Sequence, residues 1–386
     1  MDLDRAVVRV FRENAEVAKT LVKNIGSDGS YLSERFGGSI KVMNFCGTHE
    51  WTTTHYGLRS LMPGSVELVA GPGCPVCITP HTYVDELVKL SLEGVRVYTF
   101  GDAYRLPSNS TTVPRNLFEA QALGGDVKVV YSFVDAIKDA RSYGRDSAFF
   151  GIGFETTAPS YALPLRGGDV PKNLKLLSAL RLTPPVMRFT VELYGRKGLI
   201  PIRGVIAPGH VSTIVGAAAW EFLPKEFNIP AVISGFEPID VLMSVSEILK
   251  MLRNNKPSVV VEYRRLVRWE GNLFAKSSVE DVFDVGDAVW RGIGLVPMSG
   301  LELRERYGEY DAVKEYGLKK PSEVSGSDTL PGCRCSEVVL GMVKPVECPM
   351  FLRGCSPEAP YGPCMVSSEG TCRIWASYGG LEVLRG

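Results

Sequence analysis

Ile40-Lys41-Val42-Met43-Asn44-Phe45 is a short apolar run with β-branched residues, and Cys46-Gly47-Thr48-His49-Glu50 follows it directly. The run predicts a strand, and the glycine-bearing segment after it predicts a loop carrying a thiol, an imidazole and a carboxylate. The same pattern recurs along the chain. Val66–Ala70 leads into Gly71-Pro72-Gly73-Cys74-Pro75-Val76-Cys77, and Phe149–Ile152 into Gly153-Phe154-Glu155-Thr156-Thr157-Ala158-Pro159. Ile202–Ile206 leads to Pro208-Gly209-His210-Val211-Ser212, and Ala231–Ile233 to Gly235-Phe236-Glu237-Pro238. Val95–Phe100 and Val127–Phe133 predict two more strands. Helical stretches, among them Tyr83–Leu92 and Ile239–Leu252, lie between strands, which argues for α/β layers with largely parallel sheets. In such sheets ligands bind beyond the carboxyl ends of the strands, so these loops predict one composite site. The repeated Gly-Phe-Glu loop suggests two related α/β halves around a cleft.

Working outward, Leu3–Ile25 has the apolar spacing of an amphipathic helix, with Gly26-Ser27-Asp28-Gly29 predicted to stop it. From about Val261 the texture changes. Tyr263–Trp269 is basic and aromatic, either a partner surface or a solvated face. The last stretch is rich in Cys, Pro and Gly and poor in apolar mass, so a metal or disulfides must supply what a core cannot.

The 386 residues carry 43 basic and 43 acidic side chains, a zero net charge that argues against a nucleic-acid binder held by phosphate contacts. No apolar run approaches the ~18 residues of a membrane span. The amino-terminal residues are charged every few positions, unlike a signal peptide. These features predict a cytoplasmic protein with no membrane partner.

Nine cysteines, an odd number, exclude complete pairing within one chain. In an intracellular setting their clustering points to metal or redox chemistry. Cys74-Pro75-Val76-Cys77 can cycle between dithiol and disulfide, or share a metal. Its structural alternative is half of a zinc site completed from Cys46, His49, His55 and His81. Cys46, alone before His49 and Glu50, suits a ferrous ion with open coordination positions; the plainer alternative is a buried cysteine at a strand end. Glu155 and Glu237 either handle protons and orient an imidazole, or cap helices. No phosphate-binding glycine motif requires a nucleotide. The closing cysteines, Cys333, Cys335, Cys348, Cys355, Cys364 and Cys372, lack the paired C-x-x-C knuckles of zinc ribbons. Their wide spacing suits a 4Fe-4S cluster better than zinc or disulfides, and six candidates for four positions leave a pair over, assigned to Cys335 and Cys364.

Cys46–Glu50, Gly71–Cys77, Gly153–Pro159, Pro208–Ser212 and Cys364-Met-Val-Ser-Ser-Glu-Gly-Thr-Cys372, in that order, resemble the HypD family of hydrogenase maturation proteins. The likeness runs from about residue 40 to 377. The resemblance implies two α/β domains, taken as 40–145 and 146–258, with residues 1–39 and 259–386 forming an amino-terminal helix and a 4Fe-4S domain. It implies a scaffold on which the Fe(CN)2(CO) group of nickel–iron hydrogenases is assembled, with a small HypC-type partner and cyanide delivered by a HypE-type partner. The hydrogenase large subunit is served indirectly. Carried over by motif, Cys46 binds the iron, Cys74 and Cys77 form the redox pair, and Cys333, Cys348, Cys355 and Cys372 hold the cluster. His49, Glu155 and His210 line the cleft. Trp51 stands where the resemblance leads one to expect a histidine, which counts against a ligand role at that position. Two rival functions remain: a cluster-dependent dithiol reductase of protein substrates, and a zinc-stapled adaptor.

Overall fold

The computed structural model describes residues 15–109, 114–323 and 328–380. Among the described residues, eleven strands form two parallel sheets and a hairpin. The first sheet has the order β2 (Val66–Ala70), β1 (Ile40–Asn44), β7 (Ile202–Pro208), β8 (Ala231–Ser234), β9 (Val259–Val261). The second has the order β4 (Val127–Val129), β3 (Arg96–Thr99), β5 (Ser147–Gly153), β6 (Leu174–Leu180). Every pairing within them is parallel. The antiparallel pair β10 (Phe283–Trp290) and β11 (Gly294–Leu303) stands apart.

The expected α/β class is present, with a Cys-rich carboxy-terminal region beside it. The sheets are interleaved in sequence and do not follow a division at 145/146: β3 and β4 share a sheet with β5 and β6, and the chain returns to the first sheet at β7. Hydrogen bonding between β3 and β5 overrides sequence proximity here.

Two local expectations are corrected, and one strand falls outside them. The first described helix runs Ala15–Phe36, through Gly26 and Gly29; Leu3 and its neighbours up to residue 14 lie outside the described residues. Ile25, Gly29 and Leu32 are buried on one face, and a side chain at Gly29 would collide with Val66. That burial outweighs the ~1 kcal/mol that each helical glycine costs. The run Val127–Phe133 is strand only to Val129; the Ser132 hydroxyl accepts from the Asp135 N–H and starts the helix Phe133–Tyr143. Strand β6 was not anticipated: LKLLSAL is buried on both faces and shows no alternation.

The helices Ala15–Phe36 and Pro238–Arg253 cover one face of the first sheet. Phe133–Tyr143 and Ala158–Gly167 cover one face of the second. Between the sheets lies a shared core that takes Met43 and Val205 from one, Val97, Phe150 and Leu177 from the other, and Cys335, Cys348, Cys355, Cys364 and Cys372 from the carboxy-terminal region.

Candidate metal and redox site

Parallel pairing brings the strand ends of the first sheet to one edge. Cys46, the loop 71–77, His210 and Phe236 all follow such ends. Cys46 is the N-cap of the helix Gly47–His55, and the residue is half-buried. The loop after β2 presses against it: the Gly47 N–H donates to Gly73 O at 3.3 Å. A Cβ at Gly73 would lie 2.5 Å from the Cys46 nitrogen, so only glycine allows this approach.

The other wall comes from the far end of the chain. Asp102, just past β3, accepts from the hydroxyls of Ser367 and Ser368 at 3.1 Å each, and from the Ser368 N–H at 3.2 Å. This pins the loop between Cys364 and Cys372 to the second sheet's edge. Its next residue, Glu369, reaches the Cys46 helix: a Cβ on Gly47 would be 2.6 Å from the Glu369 Cβ. Burial and the Glu369 carboxylate push the Cys46 thiol up to about 11, against the pull of the Thr48 and His49 amides and the Thr48 hydroxyl. Glu369 itself is pushed up by burial and by Asp102. Sequence reasoning missed Glu369 as a site residue, although Ser-Ser-Glu-Gly stands inside the closing motif.

His49 is fully buried. Its Nε2 donates to Gly235 O at 2.8 Å, its ring stacks on Phe236 at 4.7 Å between centroids, and its Nδ1 has no hydrogen-bond partner. Burial pushes it down to about 4, so the ring is neutral near pH 7 and Nδ1 offers a lone pair. His210 also stacks on Phe236, at 4.1 Å, from the exposed side of the cleft.

Other candidates are committed elsewhere. Glu50 is buried, paired with the Arg59 guanidinium at 2.7 Å, and accepts from Asn44 Nδ2 at 3.1 Å and from the Trp375 indole N–H at 2.8 Å. With both oxygens engaged it ties the Cys46 helix to the helix Thr371–Tyr378, which carries Cys372. Glu155 accepts from the Thr183 N–H at 2.6 Å and from its hydroxyl at 2.8 Å, and so begins the helix Thr183–Arg196; burial raises it to about 7. Glu237 caps the helix Pro238–Arg253 in a capping box with Asp240. His55 stacks on Trp51 at 4.4 Å, and His81 pairs with Asp85 at 2.8 Å. Neither joins a metal-ligating group with Cys74 and Cys77, which are bonded to each other as a buried disulfide. In the basic and aromatic stretch, Tyr263 and Val267 turn inward, while Arg264, Leu266 and Trp269 are exposed.

The six carboxy-terminal cysteines are free, and five of them are buried. Among the described residues, one group of three has metal-binding geometry: Cys335, Cys364 and Cys372, with sulfurs within 4.8 Å of one another. Cys333 Sγ lies 3.1 Å from Cys335 Sγ, and the Tyr361 N–H donates to Cys355 Sγ at 3.3 Å. Gly362 leaves space over the group, since a Cβ there would sit 2.6 Å from the Cys333 sulfur and 2.7 Å from that of Cys335. The tightest group therefore shares only Cys372 with the four cysteines carried over by motif. Of the other three, Cys333 lies beside Cys335. The disulfide loop lies between the two thiol sites: Gly73 touches Cys46, and Cys77 lines a small cavity with Cys333 and Cys335.

A family model described as "HypD: Hydrogenase formation hypA family" matches residues 16–379. The hydrogenase maturation factor HypD2 of Bradyrhizobium diazoefficiens is 38% identical over 346 residues, covering 88% of this chain and 89% of the relative. A putative hydrogenase expression/formation protein of Methanocaldococcus jannaschii is 38% identical over 366 residues, 93% and 98% respectively. The hydrogenase maturation factor HypD of Escherichia coli is 36% identical over 372 residues, 94% and 95%. Among the described residues no helix is long and apolar enough to cross a membrane. With near full-length matches to named maturation factors, this chain belongs to the HypD family, and its role lies in hydrogenase maturation.

Proposed function

We propose that the protein is the scaffold on which the Fe(CN)2(CO) group is put together, with a HypC-type small protein sharing the iron and a HypE-type protein supplying cyanide in the cytoplasm. The observation that carries this reading is Cys46: a half-buried residue at a helix start, enclosed by the disulfide loop on one side and Glu369 on the other. Its thiol is held protonated by burial and by a facing carboxylate. A cation at the sulfur opposes both effects, so iron(II) as substrate would displace the proton and bind as a thiolate complex. The soft sulfur suits a low-spin ion with diatomic ligands.

His49 Nδ1 provides a buried hydrogen-bond acceptor for a polar group on the incoming ligand. Its Nε2–H, fixed on Gly235 O, selects that tautomer. His210 stands at the mouth, stacked on the same phenylalanine.

The carboxy-terminal thiols fit a resident cluster: they are buried soft donors on separate short loops, with a space kept clear by Gly362. Cys333, Cys348, Cys355 and Cys372 would hold it, leaving Cys335 and Cys364 as a neighbouring pair. When bound, a 4Fe-4S cluster supplies one-electron storage. Cys74 and Cys77 lie between it and Cys46 and would carry two-electron equivalents. Their burial argues against direct attack on folded protein disulfides, which disfavours the reductase reading.

The test is anaerobic co-purification with the small partner. Infrared bands of bound cyanide and carbonyl, with iron and sulfide in the protein, are expected. Zinc without iron or sulfide would leave a stapled adaptor instead.

A further inference from the structure

The connection from β10 to β11 sets an arginine between the disulfide and the carboxy-terminal thiols. The Arg291 backbone N–H donates to Ile78 O at 2.7 Å, one residue beyond Cys77. Gly292 packs on the other side against Ser336, one residue beyond Cys335, where a Cβ would come within 2.6 Å of the serine Cβ. The Arg291 side chain is 4% exposed and lines one small cavity with Cys77, Cys333, Cys335 and Asp328.

Its donors are spent mostly on neutral acceptors: Pro107 O at 2.8 Å, Asn109 Oδ1 at 2.9 Å and Asp328 O at 3.1 Å. The nearest carboxylate, Asp328, is at 3.8 Å and is shared with His81, whose backbone N–H reaches it at 3.1 Å. Burial pushes the guanidinium down, and the Asp328 and Asp85 carboxylates oppose it. A buried cation whose counter-ions are loose and shared leaves part of its field for the sulfurs around it.

We infer that Arg291 is a positioning residue that fixes the Cys74–Cys77 loop beside Cys333 and Cys335 and makes that disulfide easier to reduce. The inference rests on the reading of Cys74 and Cys77 as a redox pair. Reduction by a small dithiol breaks the Cys74–Cys77 S–S bond. Two electrons and two protons pass from the donor, which closes its own disulfide, and Cys77 then releases a proton to water, leaving a thiolate beside the small cavity that Arg291 also lines. The disulfide is neutral and the thiolate is not, so a fixed positive charge favours the reduced side.

The experiment is a redox titration of the full chain against an oxidised and reduced dithiothreitol series. Rapid alkylation and mass spectrometry of the Cys74–Cys77 peptide give the readout. Arg291→Gln is expected to lower the equilibrium constant for reduction about tenfold, a potential about 30 mV more negative. Arg291→Lys, which keeps the charge, should shift it less. Asp328→Asn removes the opposing charge and should move it the other way, a sign reversal that a merely structural role would not give. It also decides the matter should the glutamine variant fail to fold. Unmoved potentials, or shifts of the same sign in the glutamine and asparagine variants, overturn the proposal while the redox pair stands. A wild-type pair that stays oxidised at every dithiol ratio overturns the redox reading beneath it.

Discussion

At the scale of single residues, burial decides which ionisable groups are free for chemistry. Glu155 and Glu50 look alike in the sequence, each a glutamate in a loop or helix start after a strand. Glu50 has Arg59 beside it and is held below the usual carboxylate range despite burial, whereas Glu155 has only Thr183 and is raised to about 7. The folded protein therefore keeps the Glu155 proton that the unfolded chain gives up near pH 4.5. This contribution to stability is complete below pH 4.5 and is lost as pH rises through 7, an effect of about 3 kcal/mol. Glu155→Gln, which mimics the protonated form and can still pair with Thr183, should match the wild type near pH 4.5 and exceed it by about that amount at pH 8 in urea unfolding. Equal midpoints at both pH values would contradict this. The thiols and imidazoles of the site were legible because Cys and His are rare in this chain. Glu369 was not, since its importance comes from Asp102 fixing a loop that is distant in sequence.

At the scale of elements, the strands before each Gly-rich loop were readable from β-branched runs, and their parallel pairing from the helices between them. Strand β6 and the helix through Gly26 were not, because both depend on neighbours that bury them. The contact that joins the two thiol sites is likewise tertiary. Glu50 on the Cys46 helix accepts from Trp375 on the Cys372 helix, with Arg59 stacked over the indole at 5.1 Å. Trp375→Phe should cost about 1–3 kcal/mol, leaving one Glu50 oxygen short of a donor. Glu50→Gln should cost more, about 3–5 kcal/mol, because it strands a largely buried guanidinium. Chemical denaturation of both variants checks the order; a smaller loss for Glu50→Gln would show that the ion pair is dispensable.

At the scale of the whole molecule, motif order and cysteine grouping carried the family and the separation of a front thiol from a rear cluster. The interleaving of the sheets was not legible, since sequence order favours consecutive units and only strand pairing shows otherwise. That interleaving has a consequence for stability. One core takes side chains from both sheets and from the cysteine region, and the chain crosses between the sheets twice. Loss of either sheet exposes the other's inner face, so unfolding followed by far-ultraviolet dichroism and by tryptophan fluorescence should give coincident transitions. Two separated transitions would mean that the halves are independent.

The same geometry sets the most direct test of the account, which is the infrared spectrum of the anaerobic complex with the small partner, compared between wild type and Cys46→Ala. The account predicts cyanide and carbonyl bands in the wild type and none in the variant, with sulfide content equal in both because the rear thiols are untouched. Bands that survive the substitution, or sulfide that disappears with them, would contradict a front sulfur that grips the iron separately from the cluster behind it.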